Sequence, residues 1–153
     1  MSSVLERFRN ISEMQFYETA QTIRHEIRTF LLNDKNIPKK YRSIYAYPIF
    51  NLVQEMIDYM VEANSIYTFT TDKVIERKQK FQNSINCIDK IYERLQGAIA
   101  DVWWETLHSN PGDPGFARRL QLEDHICKIA VLLVEEEKLL KGCKEKTKLL
   151  NRH

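Results

Sequence analysis

With 153 residues, 43% of them hydrophobic and 29% charged, the chain is long enough to bury one sizeable core and too apolar to stay disordered. It has no run of about 18 apolar residues, so no membrane-spanning segment is expected. Cys87, Cys127 and Cys143 are not closely spaced, and Met1-Ser2-Ser3-Val4-Leu5-Glu6-Arg7 lacks a basic region followed by an apolar one; reduced thiols and a cytoplasmic location are the expectation.

A first helix is predicted over about residues 12–32, where Phe16, Ala20, Ile23, Ile27 and Phe30 recur at steps of three and four. Val4, Leu5, Phe8 and Ile11 are spaced for a short extra helix before it. Asn33-Asp34-Lys35-Asn36 breaks the pattern. Pro38 suits the first turn of a second helix, whereas Pro48 predicts a kink near Ile44 or a restart. Beyond it, Ile49, Leu52, Val53, Met56, Met60 and Ala63 form an apolar stripe that ends at Asn64.

After the polar turn Tyr67-Thr68-Phe69-Thr70-Thr71-Asp72, Thr71 or Asp72 is expected to cap a third helix. Phe81, Ile85, Ile88, Tyr92 and Leu95 carry its predicted buried face, and Ile99 and Val102 extend it. Asn110-Pro111-Gly112-Asp113-Pro114-Gly115 is the strongest turn signal. A last helix follows over about residues 116–150, with Leu122, Ile126, Ile129, Leu133, Leu140, Cys143, Thr147 and Leu150 in a seam that Glu136 interrupts. No segment alternates at period two for long. The expected fold is all-α: one domain over residues 1–153, an up-down-up-down four-helix bundle.

Some apolar groups exceed what one bundle core needs. Trp103, Trp104, Phe69, Tyr45 and Tyr47 have no obvious place in it. The second helix offers Ile49, Phe50, Leu52, Val53, Met56, Ile57, Met60 and Val61, the third Ile88 and Ile91, and the last Ala130, Val131, Leu132 and Val134. Surplus of this kind points to a homo-oligomer or a protein partner.

No enzyme motif is present, and no metal or cofactor is expected. His25, His108, His125 and His153 lack paired metal-ligand spacing. His125 and Cys127 fall on helix faces about 200° apart and cannot share an ion. Cys87 and Cys143 read as small core residues, and Glu135-Glu136-Glu137 as a solvated face.

The basic groups are the candidate binding residues. Lys35, Lys39, Lys40 and Arg42 crowd the start of the second helix, and Arg77, Lys78 and Lys80 the start of the third. Arg118 and Arg119 open the last helix. Lys138, Lys141, Lys144, Lys148 and Arg152 run down its end, where six Lys or Arg face the single acid Glu145. Antiparallel neighbours would place the first and third of these groups at one end of the bundle and the other two at the opposite end. Arginine supplies bidentate phosphate contacts and lysine point charges; for any single lysine, a solubilising role is the plainer reading.

Residues 37–96 carry a more specific signal: Ile37-Pro38-Lys39-Lys40-Tyr41-Arg42, then Glu62-Ala63-Asn64-Ser65-Ile66-Tyr67 closing a helix, then the Glu76-Arg77 to Phe81-Gln82 opening of the next. Taken together, this block resembles the four-helix-bundle family of diversity-generating retroelement accessory proteins and ribosomal-RNA intervening-sequence proteins. The resemblance implies a non-catalytic bundle that assembles into a ring-like homopentamer. It also implies binding of RNA and DNA, and association with a reverse transcriptase in support of cDNA synthesis during mutagenic retrohoming. Lys39-Lys40-Tyr41-Arg42 and Arg77-Lys78 match its basic pattern; the tail after Lys138 and the stretch from Trp103-Trp104 to Phe116 depart from shorter members. The competing expectation is a structural oligomeric bundle that docks another protein through an apolar rim.

Overall fold

A computed structural model describes residues 11–150. The short helix expected before Ile11 lies outside them. Five α-helices follow in order: α1 (Ile11–Leu32), α2 (Tyr47–Asn64), α3 (Thr71–Val102), the single turn α4 (Trp104–Leu107) and α5 (Phe116–Lys146). The described residues contain no strand, and the chain is all-α as its periodicity requires.

Four contacts show how the long helices run. Ser84 Oγ donates to Met56 O at 2.8 Å while Arg77, at the start of α3, reaches Ala63 at the end of α2, so these two helices are antiparallel. Lys144 near the end of α5 donates to Gln82 near the start of α3 at 2.8 Å. Phe30 near the end of α1 meets the ring of His125, in the first half of α5, edge-on at 4.8 Å. Diagonally across the core, Phe16 and Phe81 pack at 6.0 Å.

Pro48 acts where the sequence places it. A 3₁₀ turn (Lys39–Tyr41) and a π-turn (Arg42–Ala46) precede α2, which starts with Pro48 in its first turn. The amide of Tyr47 donates to Arg42 O, five residues back. That wider ring makes room for the proline and re-aims the chain. Pro38 is the cap of the 3₁₀ turn, outside α2.

The stripes of α1 and α2 are buried residue for residue. On α3, three sequence expectations need correction. Thr70, not Thr71 or Asp72, caps α3: its backbone is extended and its hydroxyl accepts from Lys73 N at 3.2 Å. Ile91 is buried where Tyr92 was expected, and Tyr92 faces outward. The surplus on α3 is not surplus, because Ile88 and Ile91 are both buried in the monomer. α3 packs against both α2 and α5, so its apolar face must be wide enough for two neighbours. On α2, Ile49, Leu52, Val53, Met56 and Met60 are likewise inside, leaving Val61 exposed; Val131 and Val134 on α5 remain exposed too.

Glu136 is fully buried in the α5 seam, and neither carboxylate oxygen has a hydrogen-bond partner. Burial, with Glu135 adding repulsion, pushes its pKa up to about 9. It is a protonated, apolar-environment acid at neutral pH. The expected solvated acidic triplet therefore has its middle member inside the core.

Candidate nucleic-acid interface

The candidate basic residues sort into the two ends of the bundle, in the grouping expected from antiparallel helices. What they do at those ends depends on side-chain type.

The last turns of α1, α2 and α3 contain no basic residue. The final carbonyls of a helix lack intrahelical donors and carry partial negative charge. Arginines from elsewhere in the chain supply the donors at two of these helix ends. Arg42 donates to Leu32 O, the last residue of α1, at 2.7 Å and pairs with Asp34. Arg77 donates to Ala63 O at 3.2 Å and Ile66 O at 3.3 Å, beside the end of α2, and lies over the Phe81 ring. Arg118 reaches Lys35 O and Asn36 Oδ1 in the connection after α1, with its guanidinium 5.1 Å from the Trp103 ring centre. Arg119 donates to Ser109 O at 2.7 Å and to Glu123 at 2.9 Å. The four candidate arginines among the described residues thus fasten main chain, and Arg152 lies outside them.

The lysines are placed differently. Lys39 and Lys40 are exposed on the 3₁₀ turn, Lys40 lying 5.0 Å from the Tyr41 ring centre. At the other end Lys80 pairs with Glu62 at 3.1 Å, Lys141 with Glu137 at 3.5 Å, and Lys73 with Glu76 at 3.0 Å. Among the described residues Lys78, Lys144 and Lys148 have no carboxylate within 4.0 Å. Lys144 instead bonds Gln82, which continues to Asn86 at 2.9 Å; a parallel amide pair joins Gln79 and Asn83 at 2.9 Å. Lys78 lies one helical turn before Gln82.

The turn between α2 and α3 adjoins these lysines. Buried Thr68 donates through Oγ1 to Lys148 O at 2.6 Å, and Leu150 N donates back to Thr68 O at 2.8 Å. On either side of Thr68, Tyr67 and Phe69 point outward and stack with centroids 6.3 Å apart and planes 20° from parallel. Sequence reading counted Phe69 as surplus apolar surface and Tyr67 as part of a polar turn. The available signal was an aromatic-x-aromatic pair in a turn beside a basic segment.

Of the remaining sequence candidates, Trp104 and Tyr47 stay exposed, and the others are placed as follows. Trp103 is half-buried and hydrogen-bonded, Cys87 and Cys143 are buried, and Tyr45 donates to Asp101 at 3.1 Å. Among the described residues no three His, Cys, Asp or Glu side chains gather to hold a metal, and no helix is long and apolar enough to cross a membrane. Compared with protein-family models, with curated proteins and with solved structures, the chain gives no match.

Proposed function

We propose that this chain is a non-catalytic accessory protein that binds nucleic acid at the end of the bundle where α3 starts and α5 finishes, and works beside a reverse transcriptase. The observation that carries the binding half is the set Lys78, Lys144 and Lys148, contributed by two helices and a tail, unpaired with acids and bordered by amide side chains. Cations that no carboxylate neutralises attract a polyanion, and amides add hydrogen bonds to phosphate and sugar without demanding one sequence. The reverse-transcriptase half rests on the resemblance over residues 37–96, and so does the ring-like homopentamer. A reverse-transcriptase gene and a repeated template region beside this gene would support it.

The test is a salt series. With about three phosphates neutralised, log K for a single strand should fall with log salt at a slope near −2, about −0.7 per contact. Lys78→Gln, Lys144→Gln and Lys148→Gln together should flatten that slope and weaken all sequences alike. An unchanged slope assigns these lysines to solubility.

The second reading, a structural bundle that docks protein, is favoured by exposed Leu120, Val131 and Val134 on the outer side of α5. It expects Val131→Ser with Val134→Ser to abolish association while nucleic-acid binding is absent in all forms. Light scattering at micromolar concentration that gives the 18.2 kDa monomer mass would sink the oligomer in either reading.

A further inference from the structure

The last helix carries two seams. Leu122, Ile129, Glu136 and Cys143 recur every seven residues and are buried, facing the neighbours α1 and α3. Leu120, Cys127 and Val134 recur at the same interval two positions earlier, which sets them about 200° round the helix. Val131 shares that outer face. Leu120, Val131 and Val134 are 51%, 62% and 53% exposed, and Cys127 is exposed too. A seven-residue apolar repeat is the pattern of a helix that packs lengthwise on another helix. Here the other helix is missing from the chain's own bundle, because α5 packs chiefly between α1 and α3 and turns this face away from both.

The charges beside the seam indicate what covers it. Asp124 and Lys138 each lie seven positions from Val131, on opposite sides; Lys128 and Glu135 lie three before and four after it. A second α5 turned end for end about Val131 therefore brings Lys138 opposite Asp124 and Glu135 opposite Lys128, each pair repeated by the symmetry. A parallel partner in register would set all four against their like, which costs free energy. The same turn places Leu120 over Gly142, eleven positions from Val131 on the far side and on the same face. An added Cβ at Gly142 would meet nothing within 4 Å, so the glycine leaves room for the leucine. In the single chain Asp124 and Lys128 pair with each other at 3.1 Å, both well exposed, a contact weak enough to exchange partners.

We propose that the outer face of α5 docks on the same face of a second copy of this chain, antiparallel, with Val131 on the two-fold axis. The seam from Leu120 to Gly142 runs about 33 Å, and only one helix from each chain takes part, so the pair forms reversibly at the weak end of interfaces. The proposal rests on the protein-docking reading and names its occupant; it uses none of the lysines assigned to nucleic acid. A ring joins unlike faces, whereas this contact joins like faces and doubles whatever carries it.

The experiment follows the mass of the full chain by light scattering from low to high micromolar concentration. Wild type is compared with Asp124→Lys, Lys138→Asp, the exchanged double variant and Val131→Ser, each checked by thermal melting; all three positions are exposed. The mass should double as concentration rises, and labelling of Cys127 should slow in step. Either single charge variant should weaken pairing about tenfold, since symmetry repeats each lost pair. The exchanged double variant should restore it, which a parallel pair could not do. Association that Val131→Ser weakens but charge exchange leaves untouched overturns the antiparallel pair and leaves the protein-docking reading standing. Association that none of the variants changes lies on another face and overturns the proposal. A single-chain mass at every concentration removes the proposal together with the reading beneath it.

Discussion

The indole of Trp103 donates to the main-chain oxygen of Asn36 across 2.7 Å. Sixty-seven positions separate the two residues, and the bond ties the end of α3 to the connection that leaves α1. The Asn36 side chain, buried, donates to Phe30 O at 3.1 Å and accepts from Arg118 at 3.2 Å, so one asparagine is held from three sides. Trp103→Phe keeps a ring but strands a carbonyl without its donor. It should lower stability by about 1–3 kcal/mol, read as a lower urea midpoint with an unchanged denaturant slope.

Glu136 makes stability fall as pH rises. Its folded pKa, about 9, lies above its ordinary value of 4.5, so between those limits the folded state binds the proton and the unfolded state has lost it. The resulting penalty is absent below about pH 4.5, grows through neutrality and levels off above about pH 9. At pH 7 it amounts to about 3 kcal/mol. Glu136→Leu should therefore stabilise the protein at pH 7 and remove this pH dependence from the unfolding free energy. A variant whose slope with pH matches wild type would refute the assignment.

Neighbouring cations on α3 should separate cleanly. Arg77→Met removes two carbonyl contacts at the end of α2 and should cost about 1–3 kcal/mol of stability. Lys78→Gln should change stability by less than about 0.5 kcal/mol while reducing affinity for single strands. Chemical denaturation of both variants checks the first statement and anisotropy the second.

Thiol labelling should proceed in two stages. Cys127 is exposed, whereas Cys87 and Cys143 are buried, and burial, followed by the nearby Glu55 charge, pushes the Cys87 thiol up. A disulfide reagent should modify one thiol rapidly and the other two only at the rate of opening or in denaturant. Cys127→Ser should eliminate the fast phase.

Helical period made the stripes of α1 and α2 readable, since one face of each meets the core. It could not choose between Ile91 and Tyr92 on α3: adjacent apolar residues fit a step of three or of four equally well, and only packing against two neighbouring helices decides. Three successive cap-forming residues, Thr70, Thr71 and Asp72, left the start of α3 similarly open. The basic clusters were legible as clusters, but the work of each member was not. Whether an arginine meets solvent or another helix's last carbonyls depends on tertiary placement, and nothing in Arg42 or Arg118 advertises the distant main chain each one reaches. Glu136 was visible as a break in a seam; its burial follows from the apolar residues one turn either side, Leu133 and Leu140, which carry it inward.

Thr68 and Lys148 are eighty positions apart in the chain, and the ribosome makes them in that order. At about 5–20 residues per second, several seconds pass between the emergence of the aromatic turn and that of the segment that fastens it. Helices and their hairpins form in microseconds to milliseconds, so α2 and α3 can associate during that interval with Tyr67 and Phe69 still free to rearrange. The shape of this turn is thus settled last, by residues synthesised after almost everything it connects.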